Sequence, residues 1–501
     1  MKNITIKLIC SVFAILLVLS AVSCGNTGNG NTTTTVASAD TSDVPAGTGD
    51  NDETGAEDTR YVAVLPGKLN TTFTIASGYV TDSKYTSTLI SVEEPDGNTI
   101  GEAVYRRAVL MQDKHGVTMD VQDVNYKTIN NSTATGNHEW DIGTATLSEI
   151  MNVVNTGKAM DLYNVENIDL DMPWWDQNAQ NKFCIGPKLY YTLSDFFITG
   201  IDNARCFYFN KDMAGNLGLG NIYDLVDSNE WTIDKMKELA HIAVADTDGM
   251  PGITIDDTAG IVNNATTFYE VMLTGCNAEI VFQGKNGIPY FPCFNNSTAF
   301  IDIYTHLLDN FSKDDNLLIT NTDNSRAMFM SGNALFTTDT MYYCSKMRAE
   351  SDINFGIMPV PKYNSDQENY LHVSPNPDVF FVIQGDAETT ATTGSILEAL
   401  SYYSSQYYAS NALMPTYFQL CLTARNAPDV DSSDNLQIVH DNISYVIKII
   451  GTDFSSALYK KFAAADYNIT GFLTANKGQN ENRLNATLKS LLGDDYDKYV
   501  D

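Results

Sequence analysis

The chain has 501 residues, 43% hydrophobic and 11% aromatic, enough for large cores in two or three domains. Lys and Arg total 30 against 62 Asp and Glu, a formal net charge of −32. That balance excludes docking on nucleic-acid phosphates, or on anionic lipid through a basic patch, and is otherwise a statement about solubility.

The first predicted element is not part of a fold. Lys2 and Lys7 precede an apolar run from Leu8 to Val22, broken only by Cys10, Ser11 and Ser20. A positive start, an apolar stretch short of the ~20 residues of a membrane span and a small-residue end define an export signal, expected over 1–23. Ala21-Val22-Ser23-Cys24-Gly25 resembles the cleavage box of bacterial lipoproteins, with Ala21 where leucine is more usual. The resemblance implies that Cys24 is lipidated with palmitate and becomes the mature N-terminus. The alternative is an uncleaved anchor with an ordinary thiol at Cys24. Either way the body is expected outside the cytoplasm, held at the extracellular face of the cell membrane. Loss of Lys2 and Lys7 leaves 28 basic residues against 62 acidic ones, or −34.

Residues 25–60 contain no aromatic side chain and include the homopolymer Thr32–Thr35 and the acids Asp50, Asp52, Glu53, Glu57 and Asp58. Such a stretch buries too little apolar surface to offset its ordering entropy. A disordered tether is expected over 24–60, giving the folded body reach above the bilayer. The body is expected to begin at Tyr61.

Helix-like and strand-like segments then alternate, which points to an α/β architecture. Ala103 to His115 reads as a helix stopped by Gly116, and Val117 to Val124 as a strand. Glu139-Trp140-Asp141-Ile142-Gly143 reads as a strand end. Arg205 to Asn210 reads as a buried strand. A helix is expected over Thr232–Ala245, with Thr232 as N-cap and Trp231 and Met236 as a hydrophobic staple. Residues 280–291 read as a hairpin with turn chemistry at Lys285-Asn286-Gly287. Cys276 and Cys293 bracket it, and a disulfide and free buried thiols are both open readings. There is no CxxC, no HExxH and no phosphate-binding glycine motif, so zinc and nucleotide chemistry are not indicated.

Five pieces in order carry a resemblance. They are Asp171-Met-Pro-Trp-Trp-Asp176, the run Ala204–Met236 with its Asn-Lys-Asp and Trp-Thr-Ile-Asp, and Ser325-Arg-Ala-Met-Phe-Met-Ser-Gly-Asn-Ala-Leu-Phe336. Asn354-Phe-Gly-Ile-Met-Pro-Val-Pro-Lys-Tyr363 and Leu413-Met-Pro-Thr-Tyr-Phe418 complete the set. Together they resemble the extracellular solute-binding proteins of bacterial ABC importers, carbohydrate type. The resemblance implies a two-lobed, periplasmic-binding-protein-like α/β fold (type II) with the ligand cleft between lobes. It places 61–203 and 325–371 in the first lobe and 204–324 and 372–501 in the second. Ser374-Pro375-Asn376-Pro377 suits a hinge, or an ordinary loop.

A sugar site needs aromatic platforms and hydrogen-bonding partners for hydroxyls. Tyr342 is the first candidate platform, with Asp339 as hydroxyl acceptor, because the family position after Gly332–Phe336 faces the cleft. Trp140 and Asp141 are candidates as the close of a strand, since α/β sheets bind ligands beyond carboxyl ends. Trp174 and Trp175, beside Asp176, would point to opposite faces of an extended segment, so one of them could face the cleft; packing of both is the other reading. Tyr417 could line the cleft mouth. Asp246, Asp248 and Asp257 have the spacing of a calcium loop, but Met250 and Pro251 stand where an oxygen ligand and Gly belong, so a solvated turn is expected and no cofactor.

The expected function is a monomeric, non-enzymatic binding subunit that delivers a carbohydrate or oligosaccharide to separate permease chains. A peptide or polyol binder on the same fold is the alternative. A surface glycoside hydrolase, with two carboxylates ~5–9.5 Å apart across one cleft, is the other. Cys24→Ser should release the protein from membranes or leave the signal uncleaved. Cell fractionation with mass analysis of the N-terminus checks this, and unchanged attachment with normal processing refutes lipidation.

Overall fold

The computed structural model describes residues 63–79, 90–95, 97–295, 297–312, 317–449 and 453–500, all within the compact unit Thr54–Asp501. The expected signal, Cys24 and the tether lie outside the described residues. In chain order the strands are β1 (Thr71–Tyr79), β2 (Val117–Asn125), β3 (Ile142–Thr146), β4 (Arg205–Asn210), β5 (Ala259–Asn263), β6 (Phe282–Gln283) and β7 (Pro289–Tyr290). They continue with β8 (Leu317–Ile319), β9 (Ala334–Thr340), β10 (Phe355–Met358), β11 (His372–Ser374), β12 (Asp378–Val382) and β13 (Ile443–Tyr445).

The predicted helix before β2 starts earlier than its apolar pattern, at Thr99, because the Asn98 side chain accepts the Ile100 N–H and caps it. It runs to Leu110 and continues as a π-helical turn to His115. Gly116 stops it at φ 66°, a conformation that costs glycine little. The second predicted helix forms over Ile233–Ala243, with the Thr232 hydroxyl accepting the Lys235 N–H. Trp231 and Met236 are both fully buried beside that N-terminus. β6 and β7 pair antiparallel as the predicted hairpin. Cys276 and Cys293 are free buried thiols, and burial pushes both thiol pKa values up.

Two sheets organise the body. The four-stranded sheet has the order β12-β3-β1-β2, with β1 parallel to β2 and β3 and β12 antiparallel to β3. The five-stranded sheet has the order β10-β4-β9-β5-β8. There β5 is parallel to β8 and β9, while β4 is antiparallel to β9 and β10. Every residue of β9 is buried although its second half reads Thr-Thr-Asp-Thr. Those groups are tolerated because they are bonded: Thr337 Oγ1 donates to Val262 O and Thr338 Oγ1 to Cys206 O.

This topology corrects the expected division into lobes. Residues 325–371 were assigned to the first lobe, but β9 fills the slot between β4 and β5, and β10 adds beyond β4. The chain therefore stays on the second sheet until after β10. Residues 372–501 were assigned wholly to the second lobe, but β12 pairs with β3 of the first sheet. The Ala387–Ser404 helix follows β12 and packs on the Thr99–Leu110 helix, where Arg107 Nη1 donates to Ser404 Oγ at 2.8 Å. The Asp453–Ala463 helix does join the second sheet's layer, with Phe462 stacked on Tyr269 at 4.3 Å.

The connections between sheets are tied to one another. Met341 N donates to Ala204 O at 2.8 Å, β11 pairs in parallel with β13, and Ser374 Oγ donates to Gly200 O. Ser374–Pro377 links β11 to β12, and Asn376 Oδ1 accepts from both Ser148 N and Ser148 Oγ at 2.8 Å.

One helix depends on a missing side chain. Gly394 lies inside Ala387–Ser404, where a Cβ would stand 2.0 Å from the Glu166 carbonyl oxygen. At a free helical position Gly→Ala stabilises by roughly 0.5–1 kcal/mol. Here Gly394→Ala should instead destabilise by ~1–3 kcal/mol, as overpacking does. A denaturant midpoint that rises in the variant refutes the close approach.

Candidate functional site

The carboxyl end of β9 meets the amino end of β4 where the chain crosses between sheets. Asp339 lies beneath this edge, 4% exposed. Its Oδ1 accepts from Arg205 Nη1 at 3.1 Å, Arg326 Nη2 at 3.0 Å and Thr340 N at 2.7 Å. Its Oδ2 accepts from Arg326 Nε at 2.7 Å. Four N–H donors occupy the carboxylate. Asp339 is therefore not the hydroxyl acceptor expected from sequence; it aims two guanidinium groups. Arg326 comes from the Thr322–Met330 helix, which Asn321 caps by accepting the Asn324 N–H. Its guanidinium sits 4.6 Å from the centre of the Tyr343 ring.

Tyr342 follows directly and is 42% exposed. It borders a cavity of about 690 Å³ together with Asn203, Arg205, Arg326, Tyr343 and Lys346. This opening lies beyond the carboxyl end of a strand in an open α/β sheet, the usual ligand position. A second charged group stands near it. Burial raises the Glu270 carboxyl pKa, opposed by the charges of Lys448 and Arg205. Burial lowers the Lys448 ammonium, opposed by Glu270. Lys448 Nζ donates to Ser148 Oγ at 3.3 Å, at the end of β3, so the group reaches from one sheet to the other.

The remaining sequence candidates are structural. Trp140 and Asp141 precede β3 instead of closing a strand, which puts them at the end of the sheet opposite the ligand edge. Trp140 is 5% exposed and donates to Gln122 Oε1, while Asp141 Oδ2 accepts from Thr74 N and Thr74 Oγ1. Trp174 and Trp175 do not point to opposite faces. The segment is a turn, with Trp175 N bonded to Met172 O, and both indoles donate to one carboxylate, Glu398, at 2.9 and 3.0 Å. Burial raises the Glu398 pKa to about 7 against the opposing pull of these donors. Asp176 caps the Gln177–Phe183 helix and accepts from Tyr445 OH. Tyr417 is 3% exposed and donates to Asp202 Oδ1.

Asp246, Asp248 and Asp257 do converge, with carboxylate oxygens within 4.8 Å of one another. Backbone donors already use them: Asp257 accepts from Thr247, Asp248 and Thr254 N–H, and Asp246 from Gly249 N–H. Those bonds hold the Asp257 acid down to about 2. The loop is a hydrogen-bonded turn.

Sequence reasoning missed Arg205, Arg326, Glu270 and Lys448. Two signals were available: Arg205 opens the strand Arg-Cys-Phe-Tyr-Phe-Asn, and Arg326 is the second residue of the Ser325–Phe336 segment, beside apolar residues. A charge at the mouth of a buried run calls for a partner.

No family model matches the chain, and no curated protein matches it in sequence. Solved structures do. A family 1 extracellular solute-binding protein from Bifidobacterium longum subsp. infantis is 14% identical, with TM-score 0.53 over 83% of this chain and 100% of its own. A sugar transporter from Rhizobium etli, in an open conformation, is 13% identical, with TM-score 0.53 over 84% and 99%. A cyclic alpha-maltosyl-1,6-maltose binding protein from Arthrobacter globiformis is 14% identical, with TM-score 0.52 over 84% and 98%. The chain has the two-lobed α/β fold of the type II periplasmic-binding-protein class.

Proposed function

We propose that the chain is the solute-binding subunit of an ABC importer, anchored through lipid on Cys24 at the extracellular face of the cell membrane. It captures a carbohydrate or oligosaccharide by lobe closure and delivers it to a separate permease. It works as a monomer and does no chemistry on its ligand. The observation that carries this reading is Tyr342: a half-exposed aromatic ring beside a cavity of about 690 Å³, among groups that can bond hydroxyls. Aromatic faces suit the apolar faces of sugar rings, and a few placed polar groups fix orientation. The names of similar structures support it, including the cyclic maltosyl-maltose binder and a cyclo/maltodextrin-binding protein bound to maltotetraose. Closure is a population shift: the ligand favours whichever form lets both lobes touch it.

The test is a thermal-shift and calorimetric screen of the purified protein against neutral and acidic oligosaccharides, with peptides and polyols alongside. A bound sugar at about 100 times its Kd should stabilise by ~2.7 kcal/mol. Failure of every sugar to shift the melting midpoint removes the carbohydrate reading, and a shift with peptides alone replaces it. Tyr342→Ala should weaken sugar binding by ~1–3 kcal/mol, as for other lost stacking platforms. Its unfolding midpoint should move little, because a surface truncation stays within ~0.5 kcal/mol. Unchanged affinity with a large loss of stability would make Tyr342 a packing residue.

A further inference from the structure

We infer that the saccharide this cleft takes is acidic, and that its anionic group sits on Arg205. The inference rests on the carbohydrate reading above and adds the class of sugar. The chain carries 30 basic residues against 62 acidic ones, yet the cavity beside Tyr342 reverses that ratio. Arg205, Arg326 and Lys346 line it, against Glu350 as the one acidic lining residue. Glu350 stands 3.7 Å from Lys346 on an exposed helix face and offsets that charge in part. Asp339 lies beneath and offsets one guanidinium. The positive balance is that of the lining itself, three cations to one acid; behind it lie Asp339, Asp323 beside Arg326, and Glu270 opposed by Lys448.

The donors point the same way. Arg326 gives Nε and Nη2 to Asp339, whereas Arg205 gives only Nη1. The Nε–H of Arg205 is buried and has no acceptor among the described residues. The Nε–Nη2 edge of a guanidinium is a fork that matches a carboxylate with two parallel bonds. Tyr343 is 1% exposed, and its hydroxyl is also buried without a partner among the described residues. Ten buried side-chain polar atoms are without partners among the described residues, and these two belong to lining residues of one cavity: Arg205 Nε–H lacks an acceptor, and the Tyr343 hydroxyl can take either a donor or an acceptor. The local acceptor that might have served, Asp339, is occupied by four donors. A neutral hydroxyl accepts but also brings a proton that needs an acceptor. A carboxylate or sulfate ester only accepts, which fits a site rich in donors. The acidic surface opposes the approach of such a ligand, but exposed charges beyond ~8–10 Å are screened at physiological salt, so the contact groups decide.

Titration calorimetry on the purified protein tests this with named probes. The acidic set is tetragalacturonate, tetramannuronate and a neocarratetraose sulfate, whose only anions are sulfate esters, which separates carboxylate from sulfate ester. The neutral set is maltotetraose and cellotetraose. At least one acidic probe should bind ten-fold or more tightly than both neutral ones. Arg205→Gln should cut that preference ten-fold or more, and Arg205→Lys, which keeps the charge but loses the fork, should cut it in part. Lys346→Gln on the exposed helix supplies a second variant should Arg205 variants fail to fold, and should reduce acidic binding selectively. Tight neutral binding without acidic binding overturns this inference and leaves the carbohydrate reading standing. Equal binding of both sets, or equal losses in the variants, overturns it as well. Binding of peptides with no sugar of either set overturns both readings.

Discussion

One buried carboxylate fixes the edge on which the site is built. Asp339 joins three elements: the end of β9, the start of β4 through Arg205 and the Thr322–Met330 helix through Arg326. Burying a charge is costly unless its lone pairs are filled, and here four N–H groups fill them. The same constraint extends to the crossing strands. Arg205 O lies 3.3 Å from His372 Nδ1 on β11. Burial pushes the His372 pKa down to about 3, so the ring is neutral and Nδ1–H is the donor. The unpartnered Nε2 then carries no proton, the less costly of the two orphans. The link between β4 and β11 therefore does not titrate near neutral pH.

Elsewhere the chain solves a problem its composition creates. Acids outnumber bases two to one, so cations are too few to partner every acid. At four carboxylates among the described residues, aromatic N–H and O–H groups supply donors. Glu398 is held by Trp174 and Trp175, Asp176 by Tyr445 and Asp202 by Tyr417. Asp429 receives Tyr223 as well as Lys211. Each bond joins residues more than 200 positions apart, so these pairs stitch the segments that run between the two sheets. Neutral donors leave the carboxylate poorly solvated, which is why burial still raises the pKa of Glu398 and Asp176.

That device explains what the sequence could and could not reveal. The helix stop at Gly116, the Thr232 cap, β4 and the hairpin were legible because capping, turn chemistry and apolar runs are local. The two-lobed fold was legible from the order of five motifs. The lobe boundaries were not, because strand order in a sheet is a long-range property: nothing near Ala334 says that it slots between Arg205–Asn210 and Ala259–Asn263. The exposed position of Tyr342 beside a cavity agrees with what its place after a motif suggests, and its role as a platform is the proposal made above. Trp174, Trp175 and Tyr417 have the same chemistry, and only their distant partners decide that they pin carboxylates. Trp174 and Trp175, 0% and 1% exposed, have no face left for a ligand.

Scarcity also gives meaning to the cations. Arg107 shows what a purely structural arginine looks like here. It is 1% exposed, it bonds Phe196 O, Ile90 O and Ser404 Oγ, its Cζ lies 5.0 Å from the centre of the Phe196 ring, and its Nε, like that of Arg205, has no partner among the described residues. Nothing about it faces an opening, and burial lowers its pKa to about 9. Arg205 and Arg326 differ in kind. They are half-buried, share a carboxylate that holds them in place, and line a cavity at the end of a sheet. A fold needing only a closed edge could have put apolar residues there at lower desolvation cost. Two guanidiniums held firm at a cavity wall, where Arg107 faces none, are arranged for something that comes from solvent.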